Sequence, residues 1–148
     1  MKTLAVFVTG LSISLLGFFS REKNYVHRTE EGINFFEGSF KEALSLAKKE
    51  NKIIFLDIYA SWCGPCKRLK SKTFKDESVV KFYNSNFINI SLDGEVGEGE
   101  QLANVYGVRA YPTLLFLDSS GKIIYKTEGF HNPTEFIELG QYVLNLKK

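Results

Sequence analysis

The chain has 148 residues, a length that suits one ordinary domain and excludes two comfortable ones. A hydrophobic fraction of 44% and 13 Phe supply a core that needs no stapling, which argues against a framework of structural disulfides. A net charge of +2 leaves no electrostatic footprint for nucleic acid or for a strongly acidic partner, and the chain carries no internal repeat or low-complexity tract.

After Met1-Lys2 the run TLAVFVTGLSISLLGFFS carries no charge, and REKNYVHRTEE then turns polar. A short basic start, an apolar run and a polar exit read as a secretory signal. The run lies at the upper edge of a signal core and the lower edge of a membrane span, so an uncleaved anchor is the second reading. No Ala-x-Ala site and no cysteine for lipid attachment occur there. Both readings divide the chain into a leader or anchor (1–20), a polar linker (21–31) and a domain (32–148). Both place that domain outside the cytoplasm, in a periplasm or secreted.

A short strand over 33–36 is compatible with the pattern. Ser39 and Glu42 form a capping box that opens the helix SFKEALSLAKKE, with Phe40, Ala43, Leu44 and Ala47 on one face and Lys48 and Lys49 in the last turn. KIIFLDIYA is short, apolar and β-branched, as a buried central strand requires. Trp62-Cys63-Gly64-Pro65-Cys66 follows and leads into the basic amphipathic helix KRLKSKTF. Asp76 caps a further helix, ESVVKFYN, and FINISL is another buried strand. DGEVGEGE reads as a Gly-rich acidic loop and EQLANVYGV as a short helix ending at Gly107. TLLFLD, SSG and KIIYKTEG form a strand, turn and strand. Asn132, Pro133 and Glu135 open the C-terminal helix FIELGQYVLNL. The implied architecture is α/β: a mixed sheet of four to five strands, parallel where helices connect them, antiparallel in the last hairpin, with helices on both faces.

Cys63 and Cys66 are the only cysteines. On a strand–CxxC–helix segment, Cys63 stands at or just before the helix N-terminus, where free backbone N–H groups and the positive dipole end favour a thiolate. Cys66, one turn further in, can attack a mixed disulfide on Cys63. Gly64 lets a partner backbone approach, Pro65 costs no helical hydrogen bond so early, and Lys67 and Arg68 add positive potential. Two other uses of the pair are open on residues alone. A structural disulfide would close a tiny loop and gain little loop entropy. A zinc site needs about four ligands, and only His27 and His131 stand beside the cysteines, at unhelpful spacing.

WCGPCK matches the active-site motif of the thioredoxin family letter for letter, and the chain resembles that family from about 33 to 146. The stretches FLDIYASWCGPCKRLKSKTF and GVRAYPTLLFLDSSGK look most like extracytoplasmic thioredoxin-like domains, such as the C-terminal domain of transmembrane thiol:disulfide interchange proteins. The resemblance implies the thioredoxin fold. It implies that Asp57, six residues before Cys63, is a buried acid that accepts the Cys66 proton; on the residues alone it could also sit at a strand edge. It implies that Tyr111-Pro112 is a cis bond beside the cysteines and that Gly129 lines the substrate groove. Trp62 is a groove wall in that reading and a packed core ring in the plain one. Tyr111 is bulkier than the residue common there in cytosolic thioredoxins, which narrows substrate tolerance. The basic run Lys67, Arg68, Lys70, Lys72, Lys75 and the acidic loop Asp93, Glu95, Glu98, Glu100 read as solvated faces.

The expected activity is thiol-disulfide exchange, acting mainly as a protein-disulfide reductase through Cys63 and Cys66. The same site run in reverse, as an oxidase or isomerase, is the first alternative. A thioredoxin-fold binding module or chaperone without turnover is the second. No dissolved cofactor and no metal is implied. The implied partners are protein disulfide substrates and an upstream donor, a membrane thiol-disulfide reductase, with the chain itself a monomer.

Overall fold

The computed structural model describes residues 32–147. The expected leader and linker lie outside them. In chain order the elements are α1 (Phe40–Glu50), β1 (Ile53–Tyr59), α2 (Gly64–Ser71), a 3-10 turn (Thr73–Lys75), α3 (Glu77–Asn86), β2 (Phe87–Asp93), α4 (Gly97–Val105), β3 (Thr113–Leu117), β4 (Ile123–Glu128) and α5 (Pro133–Leu146).

Local chemistry sets most boundaries. Ser39 caps α1, and the Glu42 carboxylate accepts from the Ser39 N–H at 2.9 Å. Asp76 accepts from Ser78 and Val79 at the start of α3. Asn132 and Glu135 form a second capping box at α5, behind Pro133. α2 stops at Ser71, earlier than the basic pattern implied. The chain tightens into the 3-10 turn, which buries Thr73 and Phe74.

The sheet order is β2-β1-β3-β4, with β1 parallel to β2 and antiparallel to β3, and β3 antiparallel to β4. β1 therefore has a neighbour on each side, and its unbroken apolar run answers to cover on both faces. Alternate residues point to opposite faces. Ile53, Phe55, Leu114 and Phe116 pack with Leu69 of α2, Phe74, Val79 and Tyr83 of α3, and Phe136 and Val143 of α5. Ile54, Leu56, Ile58, Leu115 and Leu117 pack with Ala43 and Ala47 of α1 and Leu102 and Ala103 of α4. The fold is the expected α/β arrangement with four strands. At 33–36 the chain makes only an isolated parallel bridge, Phe35 to Asn89, rather than a fifth strand.

The acidic loop is shorter than its composition suggested, because α4 begins at Gly97, inside it. A distant contact anchors that turn: the Glu98 carboxylate accepts from the Phe40 N–H at 3.0 and 3.1 Å, at the open N-terminus of α1.

Candidate active site

β1 delivers the cysteines to the start of α2. Cys63 is the N-cap residue, and its sulfur accepts from the Cys66 N–H at 3.1 Å. Cys63 and Cys66 are joined by a disulfide with Cα atoms 5.3 Å apart. Gly64 and Pro65 between them are exposed, and a Cβ at Gly64 would meet nothing within 4 Å. That leaves an open approach over the bond.

The two cysteines do not differ in exposure. Each residue is 2% exposed, and both pack with Ala60 against Tyr59 and Tyr111. The asymmetry between them lies in the helix instead: Cys63 caps it and receives an amide hydrogen, while Cys66 sits within its first turn.

Asp57 is interior, not at a strand edge. It lies on the central strand, 1% exposed, paired in register with Ser91 of β2 and Leu114 of β3. By alternation it shares the sheet face of Phe55, the face that α2 covers. Burial pushes its carboxyl up from 3.8 to about 6, against the lowering effects of the Ser91 hydrogen bond and the positive charge of Lys70. Oδ2 accepts from the Ser91 hydroxyl at 2.7 Å, while Oδ1 is buried without a hydrogen-bond partner among the described residues. A carboxyl of this kind holds a proton at mildly acidic pH and can take one up near neutrality.

Three loops build the wall beside the disulfide. The Tyr111–Pro112 bond is cis, and the Pro112 carbonyl accepts from the Gly129 N–H at 2.9 Å. Gly129 has φ +90°, a conformation glycine adopts freely, and a Cβ there would meet nothing within 4 Å. Trp62 is 66% exposed, which removes the reading of a packed core ring. Its ring meets Tyr111 edge-on with centres 6.1 Å apart, and its indole N–H donates to the Glu95 carboxylate at 3.0 Å. The Tyr111 hydroxyl donates to the Gly94 carbonyl at 3.2 Å.

Two charged segments read as solvated therefore take part in the site. Glu95 holds Trp62. In the basic run, Lys70 is half-buried with its ammonium 2.9 Å from the centre of the Tyr59 ring, and Arg68 lies 4.1 Å from that of Phe130. Ser91 was missed altogether. Its only signal in the sequence is a hydroxyl within a largely apolar strand, which becomes meaningful once β1 and β2 are placed in register. The structure thus gathers Asp57, Trp62, Cys63, Gly64, Pro65, Cys66, Tyr111, Pro112 and Gly129 around one end of the sheet.

The sequence matches the thioredoxin-like domain family over residues 40–144. It is 25% identical over 155 aligned positions to the thiol:disulfide interchange protein DsbD of Pseudoalteromonas atlantica, a match that covers 97% of this chain and 26% of that protein. The chain thus spans about a quarter of that relative's length. Among solved structures, a Bacteroides thetaiotaomicron protein provisionally described as a disulphide isomerase superposes with a TM-score of 0.68 at 45% identity, covering 77% of this chain and 94% of that one. The oxidised C-terminal domain of Neisseria meningitidis DsbD gives a TM-score of 0.58 at 28% identity, covering 69% of this chain and 90% of that one. The chain belongs to the thioredoxin-like domain family.

Proposed function

We propose that this thioredoxin-family chain is a protein-disulfide reductase working outside the cytoplasm. The observation that carries the reading is the Cys63–Cys66 bond at the cap of α2, at the same end of the sheet as a buried Asp57 whose carboxyl is pushed up to about 6 and can take up a proton near neutrality. In the reduced protein the Cys63 thiolate attacks a substrate disulfide, forming a Cys63–substrate bond and releasing one substrate thiol. Cys66 then gives its proton to Asp57 and attacks Cys63. The Cys63–Cys66 bond forms, the second substrate sulfur leaves as a thiolate that takes its proton from solvent, and two electrons have passed to the substrate. In this cycle the Cys63–Cys66 disulfide is the end state.

Trp62, Gly64, Pro65, Tyr111, Pro112 and Gly129 form the surface a substrate segment meets. The electrons come from a dithiol donor, a membrane thiol-disulfide reductase, with no dissolved cofactor. Similarity to DsbD domains and the charge-free run 3–20 support the extracytoplasmic setting. In this reading 1–20 is the leader or anchor, 21–31 the linker, and 32–148 a domain that works as a monomer. A reporter active only outside the cytoplasm, fused after residue 30, tests export: a silent but stable fusion contradicts it.

Insulin reduction with dithiothreitol tests the chemistry. Wild-type protein should precipitate the insulin B chain, and Cys63→Ser should not; equal activity of the two contradicts the mechanism. The 45% identity to the Bacteroides protein favours isomerisation as the second reading. Recovery of activity by a scrambled multi-disulfide substrate, with little net reduction, would establish it instead.

A further inference from the structure

Asp57 has one oxygen engaged and one free. Ser91, opposite it on β2, donates to Oδ2 at 2.7 Å, and Oδ1 has no partner among the described residues. Ser91 is only half-buried, and it lines an open cleft of about 550 Å³ together with Tyr59, Lys70, Phe35 and Phe74. Neither cysteine lines that cleft. The buried carboxyl is therefore one hydroxyl away from solvent by a path that does not cross the disulfide.

We propose that Ser91 is a positioning residue for this site: its hydroxyl fixes Oδ2, leaves Oδ1 for the proton from Cys66, and links the carboxyl to water in the cleft. The inference rests on the reading of Asp57 as proton acceptor and extends it. In the resolving step the Cys66 S–H proton goes to Asp57 as the Cys63–Cys66 bond forms and the Cys63–substrate bond breaks. The substrate leaves as a thiolate and takes its proton from solvent. Asp57 afterwards loses that proton to solvent, so the site returns to its starting charge. The other charged and titratable groups around this path are Lys70 from α2, Lys75 of the 3-10 turn, which also lines the cleft, Tyr59 two residues on in β1, and Asp93 two residues beyond Ser91 in β2. Lys70 and the Ser91 hydrogen bond both favour the carboxylate. On the third side β3 presents Leu114, which is apolar.

The decisive pair is Ser91→Thr and Ser91→Val, nearly equal in shape and different in the hydroxyl. A smaller alanine would leave room for a substituting water; it serves only if the valine protein does not fold. Asp57 is titrated by carbon NMR, and the attack and resolution rates are measured across pH in single turnovers. The hydrogen bond stabilises the charged form, so Ser91→Val should move the Asp57 midpoint upward and carry the acid limb of resolution with it. On that limb resolution should slow about tenfold, while attack by Cys63 is unchanged. Ser91→Thr should keep both near wild type. A valine protein with the wild-type midpoint and limb, or a folded threonine protein that behaves like valine, overturns the proposal. The NMR titration needs no turnover, so a wild-type protein inert towards every disulfide would refute the reductase reading while the Ser91–Asp57 link is still decided.

Discussion

The Trp62 indole N–H donates to the carboxylate of Glu95, 33 positions away, at 3.0 Å, and so ties the exposed ring beside the cysteines to the acidic loop. Trp62 is the only tryptophan, which makes its emission a direct report on this contact. Glu95→Ala should release the ring: emission shifts, its anisotropy falls, and iodide quenches it more readily. Stability should change by less than about 1 kcal/mol, because both groups face solvent. An unchanged spectrum and quenching constant would mean the tie does not persist in solution.

The two cysteines differ in helix position, and their chemistry should differ accordingly. Cys66→Ser retains a thiol at the cap of α2 and should react quickly with iodoacetamide near neutral pH, with a thiol pKa below the free value of roughly 8.5. It should also accumulate mixed disulfides that it cannot resolve. Cys63→Ser should leave a slow thiol within the first turn. If Cys63→Ser proves the faster of the two and traps partners, the order of attack is reversed.

Asp57→Asn should stabilise the protein at neutral pH and impair its work. The folded carboxyl titrates at about 6 against 3.8 when unperturbed, so between those values the native state binds more protons than the unfolded chain. Stability from this group is fullest below the lower value and falls as pH rises through the window, by roughly 3 kcal/mol in all. The asparagine protein should lack that slope in urea melts taken from pH 4 to 7, and its resolving step should slow more than its initial attack. Parallel stability profiles for the two proteins would contradict the assignment.

Gly94 lies where the acidic loop passes beneath Tyr111. A Cβ there would come within 2.7 Å of Ile58 Cγ2 and 2.8 Å of Tyr111 Cε1. Gly94→Ala should cost about 1–3 kcal/mol through overpacking. It should also displace the Tyr111 ring and weaken turnover of protein substrates more than that of a small aromatic disulfide. Equal effects on both substrate classes would show that Tyr111 does not shape the groove.

Local chemistry carried much of the fold into the sequence. The caps at Ser39, Asp76 and Asn132 and the apolar run of β1 each act within a few residues. The pairings that surprised are long-range. α4 starts early because Glu98 reaches Phe40, 58 positions back, and Lys70 turns inward because Tyr59 offers it a ring. Within the site, the spacing of Cys63 and Cys66 singled them out, while their redox role, like Asp57 and Pro112, was legible through family resemblance. Glu95 and Ser91 were not, because a carboxylate in an acidic loop and a hydroxyl in a strand have no pattern until the elements that face them are placed.

The direction of electron flow is the centre of this account, and the reduction potential of the Cys63–Cys66 couple measures it most directly. Equilibrated against glutathione buffers and read by alkylation of the two thiols, the couple should lie near the value of about −270 mV typical of a reducing thioredoxin. A potential close to the −120 mV or so of a strong oxidant would contradict the reductase reading and make this chain a donor of disulfides.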